Sequence, residues 1–458
     1  MLKRILVANR GEIAVRILRA CREMNIETVA VYSEADRGSL FPTLATRAVC
    51  IGPANASDSY LKIDAILTVA LETQCDGIHP GFGFLSENPD FAARTVESGL
   101  AFIGPCAEVI EKLGNKSRAR QIMRAAGIPC VPGSDGIVAT AAEAREVAGS
   151  LGYPVFIKAS AGGGGRGMRR ADSPEMVEAA FEEASGEARS VFGNGEVYVE
   201  KLIENPRHVE FQILADAFGS VVHLGERDCS LQRRNQKVVE ESPSPSIDDE
   251  TRAAMGEYAV CAARAAGYVN AGTVEFVLDG EGHCYFIEMN TRIQVEHPVT
   301  EQVTGIDIVR EQIKIASGIE LHYKQEDITL SGHAIECRVN AEDPSADFRA
   351  CPGRVEHLHL PGGFGVRVDT ALYSGCEISP YYDSMVAKVI VHGKTRNEAV
   401  LRMRRALEEL LVTGVQTNLG LLYMLMFSTD FIGGRVDTGF IERNLDALLR
   451  PVEKELNL

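Results

Sequence analysis

The 458-residue sequence has no tryptophan, no Cys-x-x-Cys pair and a shortage of positive charge. Its 11 cysteines are scattered singly from Cys21 to Cys376, so zinc, iron–sulfur and dithiol redox chemistry have no framework, and reduced, mostly buried thiols are expected. With 47 Lys plus Arg against 64 Asp plus Glu, the net charge of -17 disfavours nucleic acid and anionic membranes as partners. Apolar stretches such as Ile5 to Ala8 and Leu421 to Phe427 fall far short of a bilayer span. The N-terminus enters a strand without a signal-peptide layout, so a cytoplasmic location is expected. No GxxxxGK[ST] P-loop occurs, and the turn NRGEIA holds only Gly11 where a dinucleotide fingerprint needs three spaced glycines.

What is present is ordinary globular composition, 45% hydrophobic and 24% charged, in a chain long enough for several packed units. The first hundred residues alternate β-rich runs (Ile5 to Ala8, Thr28 to Ser33, Ala48 to Gly52, Gly77 to His79, Ala101 to Gly104) with helical patterns such as Ile13, Ile17, Cys21 and Met24. That alternation predicts an α/β fold with a parallel sheet. One helix is expected from Glu108 to Ala126, stopped by Gly127 and Pro129, and VPGSDG reads as a linker. A lid-like α/β region follows, with strands at Val155 to Ala159 and Val197 to Glu200 and a helix opened by Ser173 and Pro174. Further strands are expected at His208 to Ala215, Val221 to Gly225, Thr273 to Leu278 and Cys284 to Asn290. Thr395 and Glu398 form a capping box before a helix whose apolar face is Val400, Met403, Leu407 and Leu410.

Three segments carry chemistry. In FIKASAGGGGRGM, Gly162 to Gly165 follow a strand bearing Lys158, and backbone N–H groups without a neighbouring Cβ can close on phosphate oxygens beside Lys158 and Arg166. A flexible connector is the competing account. In FIEMNTRIQVEHP, alternation puts Glu288 and Asn290 on one strand face after Phe286, and a two-residue turn at Glu281 and Gly282 sets Glu275 directly across from Glu288. Facing carboxylates on an apolar hairpin repel, and an oxygen-liganded Mg²⁺ or Mn²⁺ relieves this; a solvated outer face is the alternative. His208, Glu210 and Gln212 share a strand face that reads as merely half-buried, and Arg233, Arg234 and Lys237 read mostly as surface ion pairs. Cys229 and Cys284, near these motifs, read as small buried hydrophobes.

Taken in order, NRGEIA, HPGFGFLSEN, FIKASAGGGGRGM, CSLQRRNQKVVEE, EMNTRIQVEHPVTE and PYYDSM closely resemble the biotin carboxylases of the ATP-grasp superfamily, across about Leu2 to Leu448. The resemblance implies a Rossmann-like N-terminal domain at 1–114, an ATP-grasp domain at 115–330 with a mobile glycine-rich lid at about 131–204, a C-terminal α+β domain at 331–447 and a tail at 448–458. It also implies carboxylation of biotin from ATP and bicarbonate, with two Mg²⁺ or Mn²⁺ ions. Nucleotide contacts carry over to Lys116, Lys158, Gly164, Gly165, Glu200, Lys201, Leu202, Ile203, His208 and Asn235, with Glu275 and Glu288. Metal ligands carry over to Glu275, Glu288 and Asn290, the base to Glu296, bicarbonate contacts to Lys237, Arg292 and Val295, and stabilisation of the biotin enolate to Arg338, with Phe82 nearby.

Three positions depart from the family pattern: Asn235 stands where many members have His, Phe82 replaces Tyr, and Ala161 replaces a fifth glycine. The Ala-Met-Lys-Met biotinylation signature is absent, and Lys388, in the apolar run DSMVAKV, does not match it. Biotin is therefore expected on a separate carrier protein, with separate carboxyltransferase subunits as in acetyl-CoA carboxylase and a homodimer as the family arrangement. The alternatives are the corresponding subunit of a pyruvate or propionyl-CoA carboxylase, another ATP-grasp carboxylate–amine ligase, or a nucleotide-binding protein with a decayed site.

Overall fold

The computed structural model describes residues 1–160 and 167–450. Gly164 and Gly165, expected to meet nucleotide, and Ala161 lie outside the described residues. In the first unit, β1 (Arg4–Val7), β2 (Glu27–Ser33), β3 (Arg47–Gly52), β4 (Gly77–His79) and β5 (Ala101–Phe102) form an all-parallel sheet in the order β3-β2-β1-β4-β5. Helix α1 (Gly11–Glu23) follows β1 and buries Ile13, Ile17 and Cys21. Strand order reverses at β1, so the crevice at its carboxyl end, beside Asn9 and Arg10, is where such a sheet receives ligands. Gly11 opens α1 at φ +64°, a conformation that costs glycine little.

The single helix expected from Glu108 to Ala126 is two, α2 (Ala107–Gly114) and α3 (Lys116–Ala125). The Asn115 side chain accepts the Arg118 N–H at 2.9 Å, and this N-cap wins over helix continuation. The break places Lys116 at the first turn of α3, where its side chain can leave the helix for the site.

A three-stranded antiparallel sheet follows, β6 (Val155–Ala159), β7 (Met168–Ala171) and β8 (Val197–Lys201), in the order β7-β6-β8. Its helix α4 (Val177–Phe192) starts after a 3₁₀ turn at Pro174–Met176, later than Ser173 and Pro174 suggested. Val155, Ile157, Val197 and Val199 pack on Ala180 and Ala184 of α4.

The largest sheet has eight strands: β9 (Arg207–Ala215), β10 (Val221–Arg233), β11 (Gln236–Ser242), β12 (Asn270–Leu278), β13 (Cys284–Asn290), β14 (His333–Asn340), β15 (Val366–Thr370) and β16 (Met385–Gly393). Their order is β13-β12-β9-β10-β11-β14-β16-β15. The ladder between β11 and β14 makes this one continuous sheet across Gly332. Helices α5 (His297–Thr304) and α6 (Arg396–Glu409) pack against it, the latter through Val400, Met403 and Leu407. Thr395 accepts the Glu398 N–H at 3.3 Å, but the Glu398 carboxylate returns to the Lys394 N–H at 3.0 Å, one residue short of a strict capping box.

Two strand expectations need correction. β10 continues past Gly225 to Arg233, because its charged residues find partners inside the fold and the strand is buried on both faces. The β12–β13 connection spans Asp279 to His283 rather than two residues, with Asp279 donating its N–H to the His283 carbonyl at 3.0 Å. A bulge between Glu275 and Phe276 restores the pairing of Glu275 with Glu288. The same bulge turns Phe286 away from Glu288, into the core against Phe276. Among the described residues no helix is long and apolar enough to cross a membrane.

Candidate active site

Four strands bring one row of side chains together: Arg227 on β10 stands opposite Glu210 on β9, Glu210 opposite Glu275 on β12, and Glu275 opposite Glu288 on β13. Three neighbouring carboxylates on one sheet face repel, and the fold answers with cations. Arg227, fully buried, donates Nε to Glu210 at 2.6 Å and its two terminal nitrogens to Gln212, Thr300, Thr273 and Gln294. The Lys237 Nζ donates to Glu210 at 2.5 Å, Glu275 at 3.0 Å and Glu296 at 2.7 Å. The Lys116 ammonium reaches Glu288 at 2.7 Å.

Burial works against charge throughout this row, and the pairing decides which groups stay ionised. Burial alone would raise the Glu275 carboxyl; Lys237, His208 at 2.9 Å and Gln294 hold it well below the usual carboxylate range. Burial disfavours the Lys237 ammonium too, yet Glu210, Glu275 and Glu296 raise it well above the ordinary lysine value. Glu210 moves up, its burial outweighing Lys237 and Arg227. Glu275 and Asn290 are joined by an Nδ2 donor at 2.8 Å. Glu275, Glu288 and Asn290 stand on two paired strands and all line the neighbouring cavity, where their side chains offer oxygens of the kind a hard divalent cation takes.

Beside this row opens a cavity of about 670 Å³ whose wall includes Asn9, Phe82, Asn235, Arg292, Val295 and Arg338. Glu296 immediately precedes α5 and is buried; Lys237 and Arg338 overcome the penalty of its burial and hold its carboxyl well below the usual range. Arg338 donates to Glu296 at 3.0 Å and, through Nε, to the buried Glu240 at 2.5 Å. Arg292 donates to Glu87 at 2.9 Å and to the Asn290 side-chain oxygen at 3.2 Å.

The remaining expected residues are divided between the three-stranded sheet and the β10–β11 turn. Lys158 pairs with the buried Glu200 at 2.6 Å, and Arg120 joins them through Glu200. The Lys201 Nζ turns to the carbonyls of Gly152 and Tyr153, each at 3.0 Å, while Leu202 is buried and Ile203 half-buried where β8 ends. Asn235 sits in the β10–β11 turn at φ +63°, a conformation asparagine tolerates better than most residues. Arg233 and Arg234 both pair with Asp347, the surface network expected of them, whereas Lys237 is the exception at the centre of the site.

Sequence reading passed over several participants. Glu210 looked like part of a half-buried strand, yet both faces of β9 are buried and its carboxylate is central; its spacing of two from His208 was the available signal. Arg227 and Glu240 gave no motif of their own, and Glu87 lay unremarked inside HPGFGFLSEN. Cys229 is buried with Sγ 3.9 Å from Glu296, Cys284 is half-buried, and the described cysteines are all free.

A small three-stranded antiparallel sheet followed by a large antiparallel sheet that bears an acidic hairpin is the arrangement of an ATP-grasp protein. Residues 1–110 match the family model "Biotin carboxylase, N-terminal domain", 115–324 "Carbamoyl-phosphate synthase L chain, ATP binding domain" and 336–443 "Biotin carboxylase C-terminal domain". Biotin carboxylase 1 of Bacillus subtilis is 55% identical over 443 residues, covering 96% of this chain and 98% of the relative. A pyruvate carboxylase subunit from Methanothermobacter thermautotrophicus is 51% identical over 458 residues, covering 99% and 93%. The biotin carboxylase domain dimer of Hydrogenobacter thermophilus 2-oxoglutarate carboxylase, solved with MgADP, ADP and bicarbonate, superposes with a TM-score of 0.96 at 50% identity over 98% of this chain and 99% of that one. The chain belongs to the biotin carboxylase family, and it is an ATP-dependent carbon–nitrogen ligase.

Proposed function

We propose that the cavity carboxylates biotin on a separate carrier protein, taking ATP and bicarbonate to ADP, phosphate and carboxybiotin, as the first half-reaction of an acetyl-CoA carboxylase in the cytoplasm. The observation that carries this reading is the contact between Glu296 and Arg338 at 3.0 Å in the cavity wall, beside the acidic row. Such a site has a base, a cation for a developing oxyanion and a place for phosphates within a few ångströms. The working units are 1–114, 115–330 with a lid at about 131–204, and 331–447, arranged as a homodimer.

In this reading Glu275, Glu288 and Asn290 hold Mg²⁺ or Mn²⁺, which neutralises the phosphate oxygens and spreads the charge of phosphoryl transfer. Lys116, Lys158, His208, Asn235 and residues 200–203 hold the nucleotide with Gly164 and Gly165. Lys237, Arg292 and the Val295 backbone orient bicarbonate, Arg292 in forked geometry. A Glu296 carboxylate engaged by Lys237 is a weak base; bicarbonate that draws Lys237 toward itself frees that lone pair to accept the bicarbonate proton. The dianion attacks the γ-phosphate to give carboxyphosphate, which splits to CO₂ and phosphate. Phosphate then takes the ureido proton of biotin while Arg338 stabilises the enolate-like oxygen, and the deprotonated ureido nitrogen attacks CO₂ to give carboxybiotin.

A second acceptor has support of its own: the methanogen pyruvate carboxylase relative and the 2-oxoglutarate carboxylase domain are 51% and 50% identical to this chain. The carboxyltransferase that co-purifies with the chain distinguishes the acceptors. The central reading is tested by bicarbonate-dependent ADP release with Mg²⁺, with and without free biotin. Stimulation by biotin is expected, and its absence overturns the reading.

A further inference from the structure

Lys388 has a partner set unlike that of any other lysine near the cavity. On β16 it stands in one cross-strand row between Arg338 of β14 and Asp369 of β15, and its side chain is wholly buried. Two adjacent cations repel, so each must be neutralised from its own side. Arg338 is satisfied by Glu240 and Glu296. The Lys388 Nζ lies 3.1 Å from Glu12 Oε1 and 4.0 Å from Asp369 Oδ2, and donates to the Val295 carbonyl at 2.8 Å.

These contacts join three parts of the chain. Glu12 belongs to the first turn of α1 in the N-terminal sheet unit, Lys388 to the far end of the large sheet, and Val295 to the connection between β13 and α5. Residues 291–296 of that connection have no ladder partner, so side-chain contacts set where its backbone runs. Val295 immediately precedes Glu296, and a displaced Val295 carbonyl displaces the Glu296 carboxylate with it. A buried ammonium is retained only when paired and hydrogen-bonded; here the acidic partners meet the charge and a remaining N–H holds a backbone carbonyl.

We propose that Lys388 is a positioning residue for the bicarbonate half of the site: anchored by Glu12, it clamps the Val295–Glu296 segment, so that bicarbonate affinity depends on it while nucleotide affinity does not. Lys116 and Lys158 pair instead with Glu288 and Glu200, on the nucleotide side. The inference rests on the placement of bicarbonate beside Val295 and Glu296.

The test compares Glu12→Gln with Glu12→Gln/Lys388→Met. Removing both charges avoids leaving the Glu12 carboxylate buried without its cation, the expected fault of Lys388→Met alone. Relative to Glu12→Gln, the double variant should raise the bicarbonate KM about tenfold or more, with the ATP KM unchanged within about twofold. Lys388→Arg, which keeps the charge and a donor, should recover most of the bicarbonate KM. If that double variant does not fold, Glu12→Gln/Lys388→Leu, which likewise removes both charges and the donor, takes its place with the same split expected. Equal effects on both KM values, or an unchanged bicarbonate KM, overturn the clamp. Turnover by the parent enzyme that ignores bicarbonate overturns the underlying reading instead.

Discussion

Glu275 and Glu288 stand directly opposite one another across the β12–β13 ladder, yet they pair with different cations, Glu275 with Lys237 and Glu288 with Lys116. The two carboxylates are therefore held apart in charge but together in space. In the proposed reading these are the two carboxylates that would hold the divalent ion.

Glu288→Gln follows from that arrangement. It removes one anionic oxygen donor and the partner of Lys116 while keeping the shape of the side chain. Turnover should fall by at least about tenfold, a loss near 1.4 kcal/mol in the barrier, and the apparent Mg²⁺ requirement should rise. Steady-state ADP release against Mg²⁺ concentration checks this, and unchanged turnover rejects the role.

Arg338→Ala separates the two stages of the reaction. Arg338 faces the cavity, and its removal takes away the cation assigned to the enolate-like oxygen. Biotin carboxylation should fall about tenfold or more beyond any loss of biotin-independent, bicarbonate-dependent ATP cleavage. Equal losses in both assays argue against the assignment.

Arg227→Met tests the acidic row itself. It leaves the wholly buried Glu210 with Lys237 at 2.5 Å and His208 at 3.8 Å as its basic partners. Breaking a buried pair from one side costs about 3–5 kcal/mol, so the denaturant midpoint should fall clearly. Glu210→Gln added to Arg227→Met should recover part of that loss, as measured by urea unfolding.

Glu240 predicts a pH signature. Burial pushes its carboxyl up to about 7 from an ordinary 4.5, with Arg338 opposing and Glu296 adding to the rise. The native state therefore binds a proton as pH falls through about 7, while the unfolded chain does so only near 4.5. Between these values the native state holds more protons, so this residue's contribution to stability declines as pH rises through the window. Thermal unfolding at several pH values between those limits should show Glu240→Gln lacking this decline; an identical slope in parent and variant contradicts it.

Local pattern carried much of this molecule. The doubly wound start was legible because β1 and α1 switch period from two to about 3.6 within a few residues. The glutamate pair was legible because strand alternation and hairpin length constrain pairing, although the connection was misjudged and a bulge corrected it. The helix break at Asn115 and the long β10 were less visible, since a capping side chain and buried charges contradict simple periodicity.

By itself the sequence determined the chemistry on offer: which carboxylates, lysines and arginines stand on which strand face, since alternation is set by backbone geometry. Only the tertiary structure decided their electrostatic partners. Arg227, Glu210, Glu275 and Glu288 lie on four strands, with a whole strand and a long helix between β10 and β12, and Lys388 meets Glu12 across 376 positions of chain. Whether a buried charge is paired or stranded depends on such contacts, because attraction follows distance in space and the penalty follows exclusion of water, neither of which local sequence records.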